Sequence, residues 1–186
     1  MMHLTTNIAV NPWQTLPPSC MNFPVRGVGV SDASDIGQAW AWNSAKRMRI
    51  VTEKVRISQA ILFTEFEATY RGQMELAEDV PEESSYLWLG DNTGSIYVNK
   101  KGLSKFAKVN EMLINVYQKK EKRKVRAYHE YICSEENPVD GLSRTSVDGE
   151  YERAPCSLHP GELCTEFLEW IALSLSSPED PGISAF

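Results

Sequence analysis

Between Val25 and Thr52 three apolar, strand-like runs follow one another so closely that no helix fits between them. The first, Val25 to Asp32, sets Val25, Val28 and Val30 among glycines; Ile36 to Trp42 and Met48 to Thr52 follow after short breaks. Strands joined by such short connections pair as an antiparallel meander. From Ser58 the period changes. Ile61, Phe63, Phe66, Ala68, Tyr70, Met74 and Leu76 recur at helical spacing in a stretch free of proline, with Gly72 the first residue to interrupt it. A short apolar strand, Tyr86 to Leu89, comes next. A helix over Phe106 to Tyr117 then carries Val109, Leu113, Val116 and Tyr117 on one face, and Val125 to Ile132 reads as a last strand. The order βββαβαβ with a helical C-terminus predicts an α/β fold, a mixed sheet with helices packed on it.

At 186 residues the chain suits one such domain. Residues 1–22, including the proline-rich NPWQTLPPS, read as an extended leader or linker. Residues 23–144 form the expected domain. Residues 145–186 read as an acidic C-terminal extension, in which Leu163 to Leu175 is an amphipathic helix expected to dock on the body. No run approaches the roughly 18 apolar residues of a membrane span, and the start lacks a secretory pattern. The expectation is an intracellular protein with no membrane partner. Cys20, Cys133, Cys156 and Cys164 are too irregularly spaced for a disulfide framework, so reduced thiols are expected. Cys156, His159 and Cys164 could hold zinc only with a fourth ligand from elsewhere; loop residues beside a helix start are the other reading.

The net charge of −6 averages two opposed segments. Between Asn92 and Arg126 ten basic residues face only Glu111 and Glu121, whereas beyond Thr145 eight acids face Arg153 alone. A basic face of this kind suits nucleic-acid phosphates, although a solvated helix face would read the same way.

Four acids stand where chemistry is done. Asp32 ends a buried strand, where a carboxylate can reach a metal while its backbone stays pinned in the sheet; Asp-Ala-Ser is also an ordinary turn. Glu65 lies among apolar neighbours on the first helix. Glu67, two residues on, must point to another face, so one of the two is a surface acid. Asp91 closes the strand YLWLG, ahead of Asn92 and Thr93, which also suit a helix cap. Asp140 follows Asn137-Pro138 in a first helical turn, where both are structurally ordinary.

Taken in order, DAS at a strand end, TEFEA on a helix, a strand ending in DNT and the string NPVDGLSR resemble the ribonuclease H domain of reverse-transcribing retroelements. The resemblance covers roughly Val25 to Arg144; NPVDGLSR is its most specific part. DNTGSIYVNKKGLSK looks closest to elements of the DIRS kind, which carry a tyrosine recombinase. The resemblance implies a ribonuclease H-like fold with a five-stranded mixed sheet, its first three strands antiparallel and the other two parallel to the first. It implies a metal-dependent endonuclease cutting the RNA strand of RNA–DNA hybrids, with Asp32, Glu65, Asp91 and Asp140 holding two Mg²⁺ ions, for which Mn²⁺ can substitute. Glu67 is the alternate for the second position and Asp35 for the first. Asp32 would bridge both ions, Glu65 and Asp91 would complete one side, and Asp140 would hold the other ion. Contacts to the hybrid are expected from Asn92, Thr93, Lys100, Lys101, Lys105, Lys119, Lys120, Lys122, Arg123 and Lys124. A polymerase domain, in cis or in trans, is the implied protein partner, since this chain lacks the aspartate pair of a polymerase palm. Two departures stand out. The loop before Asp140 has no histidine, and His129 falls inside the preceding strand, where a structural role is expected. A non-catalytic scaffold of the same fold is the competing reading.

Overall fold

The computed structural model describes residues 23–56, 60–157 and 163–176; the leader 1–22, the helix start at Ser58 and His159 lie outside them. The meander appears as β1 (Val25–Ala33), β2 (Gly37–Ser44) and β3 (Met48–Lys54). The chain continues through α1 (Ile61–Asp79), β4 (Ser85–Gly90), α2 (Thr93–Lys101), α3 (Ala107–Arg123), β5 (Arg126–Tyr131), α4 (Asp140–Ser143), β6 (Gly149–Arg153) and α5 (Thr165–Ser176). The basic region is thus two helices, broken at Gly102, whose φ of 70° is the left-handed turn that glycine adopts without a Cβ penalty.

The sheet runs β5-β4-β1-β2-β3-β6. β1, β2 and β3 pair antiparallel, while β4 lies parallel to β1 and β5 parallel to β4. Six strands therefore replace the five expected. The sixth, GEYER, pairs antiparallel with β3 and is clasped to it by Arg47–Glu152 and Arg49–Glu150 ion pairs, each at 2.7 Å. It has no apolar run, which is why its sequence gives no strand signal.

Alternation along β2 divides the core. Trp40 and Trp42 join Val51, Leu76 and Trp88 in the layer under α1, while Ala39 and Ala41 pack on the opposite face with Phe167, Trp170 and Ile171 of α5. Helices therefore cover both faces. The chain segment past Arg144 supplies a strand and a helix to this body, and α5 reaches the site region: a Cβ on Gly141 of α4 would meet Leu175 at 2.8 Å. Cys156 and Cys164, expected as reduced thiols, are joined as a disulfide, so neither sulfur is a free zinc ligand.

The packing of α1 against the sheet fixes its rotation. The Trp88 ring is held between Gly29 and Gly72, where an added Cβ would come within 2.3 Å and 2.1 Å of it. Trp88 Nε1 donates to Ser31 Oγ at 3.1 Å, and Ser31 Oγ and Thr69 Oγ1 are hydrogen-bonded at 2.9 Å. Thr69 lies one helical turn past Glu65, and Ser31 immediately precedes Asp32, so this bond sets Glu65 alongside Asp32. Thr69→Val keeps the shape and deletes the bond. It is expected to cost about 1 kcal/mol in urea denaturation; an unchanged midpoint would show that ring packing alone sets the helix. Farther along α1, Gln73 Oε1 meets Tyr86 Oη and His129 Nε2, at 3.2 and 2.9 Å. His129 is buried there, away from Asp32 and its neighbours, with its pKa pushed down to about 3 by burial and by the charges of Lys120 and Lys100.

Candidate metal centre

Parallel pairing of β1 and β4 puts Ser31 opposite Gly90, so the next residues, Asp32 and Asp91, leave the sheet side by side. Glu65 comes down onto them from the first turns of α1. One carboxylate oxygen from each of Asp32, Glu65 and Asp91 lies within 4.8 Å of the others. Asp32 and Glu65 are buried and Asp91 is half-buried.

Such a grouping is electrostatically unfavourable by itself. Burial, followed by the charges of Asp32 and Asp91, pushes Glu65 up to about 9. Asp32 is raised to about 6, chiefly by burial and further by Asp91 and Asp140, against a hydrogen bond from Ser143 that lowers it. Protons or a cation must balance these charges. Three hard oxygen donors converging from separate elements, with no thiolate or imidazole among them, fit a Mg²⁺-class ion.

Asp140 stands apart from this triad. Both its oxygens are taken by Arg144, with Nε donating to Oδ2 at 3.0 Å and Nη2 to Oδ1 at 2.6 Å. The α4 turn that carries it is nevertheless sewn to the site. Ser143 Oγ lies 2.5 Å from Asp32 Oδ2 and 2.8 Å from the Asp140 carbonyl, Ser34 Oγ donates to the Ser143 carbonyl, and Asn137 Nδ2 donates to the Ser31 carbonyl. Asn137 and Ser143 are site residues that sequence reasoning used only as parts of a fingerprint. Their spacing in NPVDGLSR was the available signal. The two alternates lie away from the triad: Glu67 pairs with Arg71, which also holds Glu53, and Asp35 is exposed on the β1–β2 turn.

The basic residues divide by environment. Asn92 caps α2 by accepting from the Ser95 N–H, and Thr93 is exposed in its first turn. Lys101 and Lys105 sit over the rings of Tyr97 and Phe106. Lys122 is exposed. Lys100 pairs with Glu130, Lys119 with Glu78, Arg123 with Glu78 and Glu82, and Lys124 with Glu82. Burial lowers the pKa of Lys120, which faces His129. Acids from the end of α1 and the following loop thus offset much of the charge that the linear run suggests.

No family model and no curated protein sequence matches the chain. Solved structures do. Ribonuclease H1 of the halophilic archaeon Halobacterium salinarum NRC-1 matches at 11% identity with a TM-score of 0.53, over 65% of this chain and 96% of that one. The N-terminal ribonuclease H domain of a Mycobacterium tuberculosis protein matches at 10% identity with a TM-score of 0.54, over 66% and 93% of the two chains. With the antiparallel meander, the two parallel strands and the carboxylates at the β1 and β4 ends, these matches establish that the chain has a ribonuclease H-like fold.

Proposed function

We propose that the chain is a divalent-cation-dependent endonuclease that hydrolyses the RNA strand of RNA–DNA hybrids, and that it is, or descends from, the nuclease part of a retroelement reverse transcriptase. The observation that carries the nuclease reading is the convergence of Asp32, Glu65 and Asp91 within 4.8 Å on this fold. The retroelement reading rests on NPVDGLSR.

Asp32, Glu65, Asp91 and Asp140 are the residues that would hold Mg²⁺. When bound, such ions make an attacking water more nucleophilic and stabilise the leaving oxyanion. The chain's own contribution is placement. The sheet fixes Asp32 and Asp91, the Ser31–Thr69 bond fixes Glu65, and Ser143 orients Asp32. No described helix is long and apolar enough to cross a membrane. The phosphate contacts are assigned to Asn92, Thr93 and the basic residues of α2 and α3. Within that group Lys101, Lys105 and Lys122 contribute most, since Lys119, Arg123 and Lys124 already face acids.

The test is cleavage of a uniformly labelled hybrid with Mg²⁺ or Mn²⁺, beside single-stranded RNA and double-stranded DNA. Internal cuts confined to the RNA of the hybrid are expected; no cleavage, or equal cleavage of the controls, rejects the reading. If about four phosphates are neutralised, hybrid affinity falls about a hundredfold between roughly 50 and 200 mM salt. Replacing Lys101, Lys105 and Lys122 with glutamine should flatten that dependence more than the same change at Lys119, Arg123 and Lys124. The opposite ranking would move the hybrid toward the end of α3.

A further inference from the structure

Arg144 closes α4 with a bidentate grip on Asp140, one turn back along the chain. The other three site carboxylates are crowded by like charges, and this one alone has its oxygens committed to a guanidinium. The pair sits at the water-facing rim of the centre, with the Arg144 side chain 66% exposed and that of Asp140 31% exposed. The same guanidinium is within electrostatic reach of Asp32 and Asp91. We propose that Arg144 is the competitor that a cation must displace to reach Asp140, and that a substrate phosphodiester draws the guanidinium away, so that the fourth carboxylate takes a cation more tightly once nucleic acid is in place.

The proposal rests on the reading of Asp32, Glu65 and Asp91 as cation ligands and adds a coupling to it. A hard cation at Asp140 must share a carboxylate whose two oxygens both already accept from the guanidinium fork, whose positive charge opposes it. A phosphodiester offers that fork the same two-oxygen geometry as a carboxylate, which makes exchange between the two partners a substitution of like for like. Because the pair is exposed and made between residues four apart, it is a weak, displaceable hold. Ser143 adds the mechanical side: adjacent to Arg144 and hydrogen-bonded to Asp32, it keeps the turn docked while the arginine side chain swings.

The experiment is calorimetric titration of the full chain with Mn²⁺ at fixed ionic strength, for the parent, Arg144→Gln, Asp140→Asn and Asp32→Asn. The parent is expected to show a stronger step at the triad and a weaker one at Asp140. Arg144→Gln should tighten the weaker step by about three- to fivefold and leave the stronger one unchanged; Asp140→Asn should abolish the weaker step. Repeating the titration with a hybrid made uncleavable by 2′-O-methyl RNA should tighten the weaker step in the parent and much less in Arg144→Gln. Equal second steps in the parent and Arg144→Gln overturn the proposal while leaving the triad reading intact, as does a second step that survives Asp140→Asn. Titrations unaltered by Asp32→Asn overturn both. Since Arg144 is exposed, loss of folding is not expected to obscure the comparison.

Discussion

Asp32→Asn and Asp91→Asn, made singly, are expected to reduce hybrid cleavage by about a thousandfold or more while leaving the chain folded. Each substitution keeps the side-chain shape but removes a charge from the three-carboxylate centre proposed to hold cations. Asp32 is the more severe case, because it contacts the greatest number of partners: Ser143 by hydrogen bond, and Glu65, Asp91 and Asp140 by charge. The useful signature is dissociation of activity from stability. Removing one of several mutually repelling carboxylates should raise the melting temperature of the cation-free chain even as cleavage disappears. Glu67→Gln is the matched control, since Glu67 points to Arg71 and should leave cleavage near the parent rate. Full activity in Asp32→Asn and Asp91→Asn, measured in the hybrid assay, would remove the basis for a nuclease.

The second large effect is on stability against pH without divalent cation. Glu65 has a folded-state pKa of about 9 against an ordinary 4.5, so the folded chain retains a proton that the unfolded chain has lost. A raised folded pKa gives stability that is present at low pH and lost as pH climbs toward that value. Asp32 acts in the same sense but has finished by about 6. His129 acts oppositely: with its folded pKa pushed to about 3, it favours the folded chain above its ordinary 6.5 and withdraws that support as pH falls. Glu75, raised chiefly by burial, acts in the same sense as Glu65. The window where Glu65 is the main contributor therefore opens above pH 6.5. It closes in the alkaline range, where Lys119 and Lys120, both held below the ordinary 10.5, slope the other way. Between about pH 6.5 and 8.5 the cation-free chain should lose about 2–3 kcal/mol, a fall of several degrees in melting temperature. Mg²⁺ should restore more at the upper end than at the lower. Glu65→Gln should flatten the profile and erase the Mg²⁺ response. A flat profile in the parent would mean that Glu65 is already ionised and solvated.

Much of this was legible in the chain. The meander was readable because its strands are apolar and closely spaced, and α1 because Phe63, Phe66 and Tyr70 hold a helical period. Glu65 could be preferred over Glu67 only from the resemblance, since each alone is an ordinary helix acid; the deciding contact, Ser31 to Thr69, joins residues 38 apart. Besides the Cys156–Cys164 disulfide, two things were not readable. The strand GEYER owes its place to Arg47 and Arg49 across the sheet rather than to hydrophobicity. The pairing of Asp140 with Arg144 is a side-chain choice that motif matching does not see, because the motif records which residues are present and not which one holds which.

That sixth strand has a consequence for how the molecule behaves at high concentration. Without it β3, largely buried and carrying Met48 and Ile50 on one face and Val51 on the other, would be the outer edge of the sheet and a template for another chain's strand. With it, the edge is five residues long and carries Glu150 and Glu152, a ribbon too short and too charged to recruit a neighbour easily. The segment after Arg144 is thus expected to guard against aggregation as well as to form part of the body, and a chain trimmed to end at Arg144 would be expected to self-associate, which sedimentation of the two forms would show.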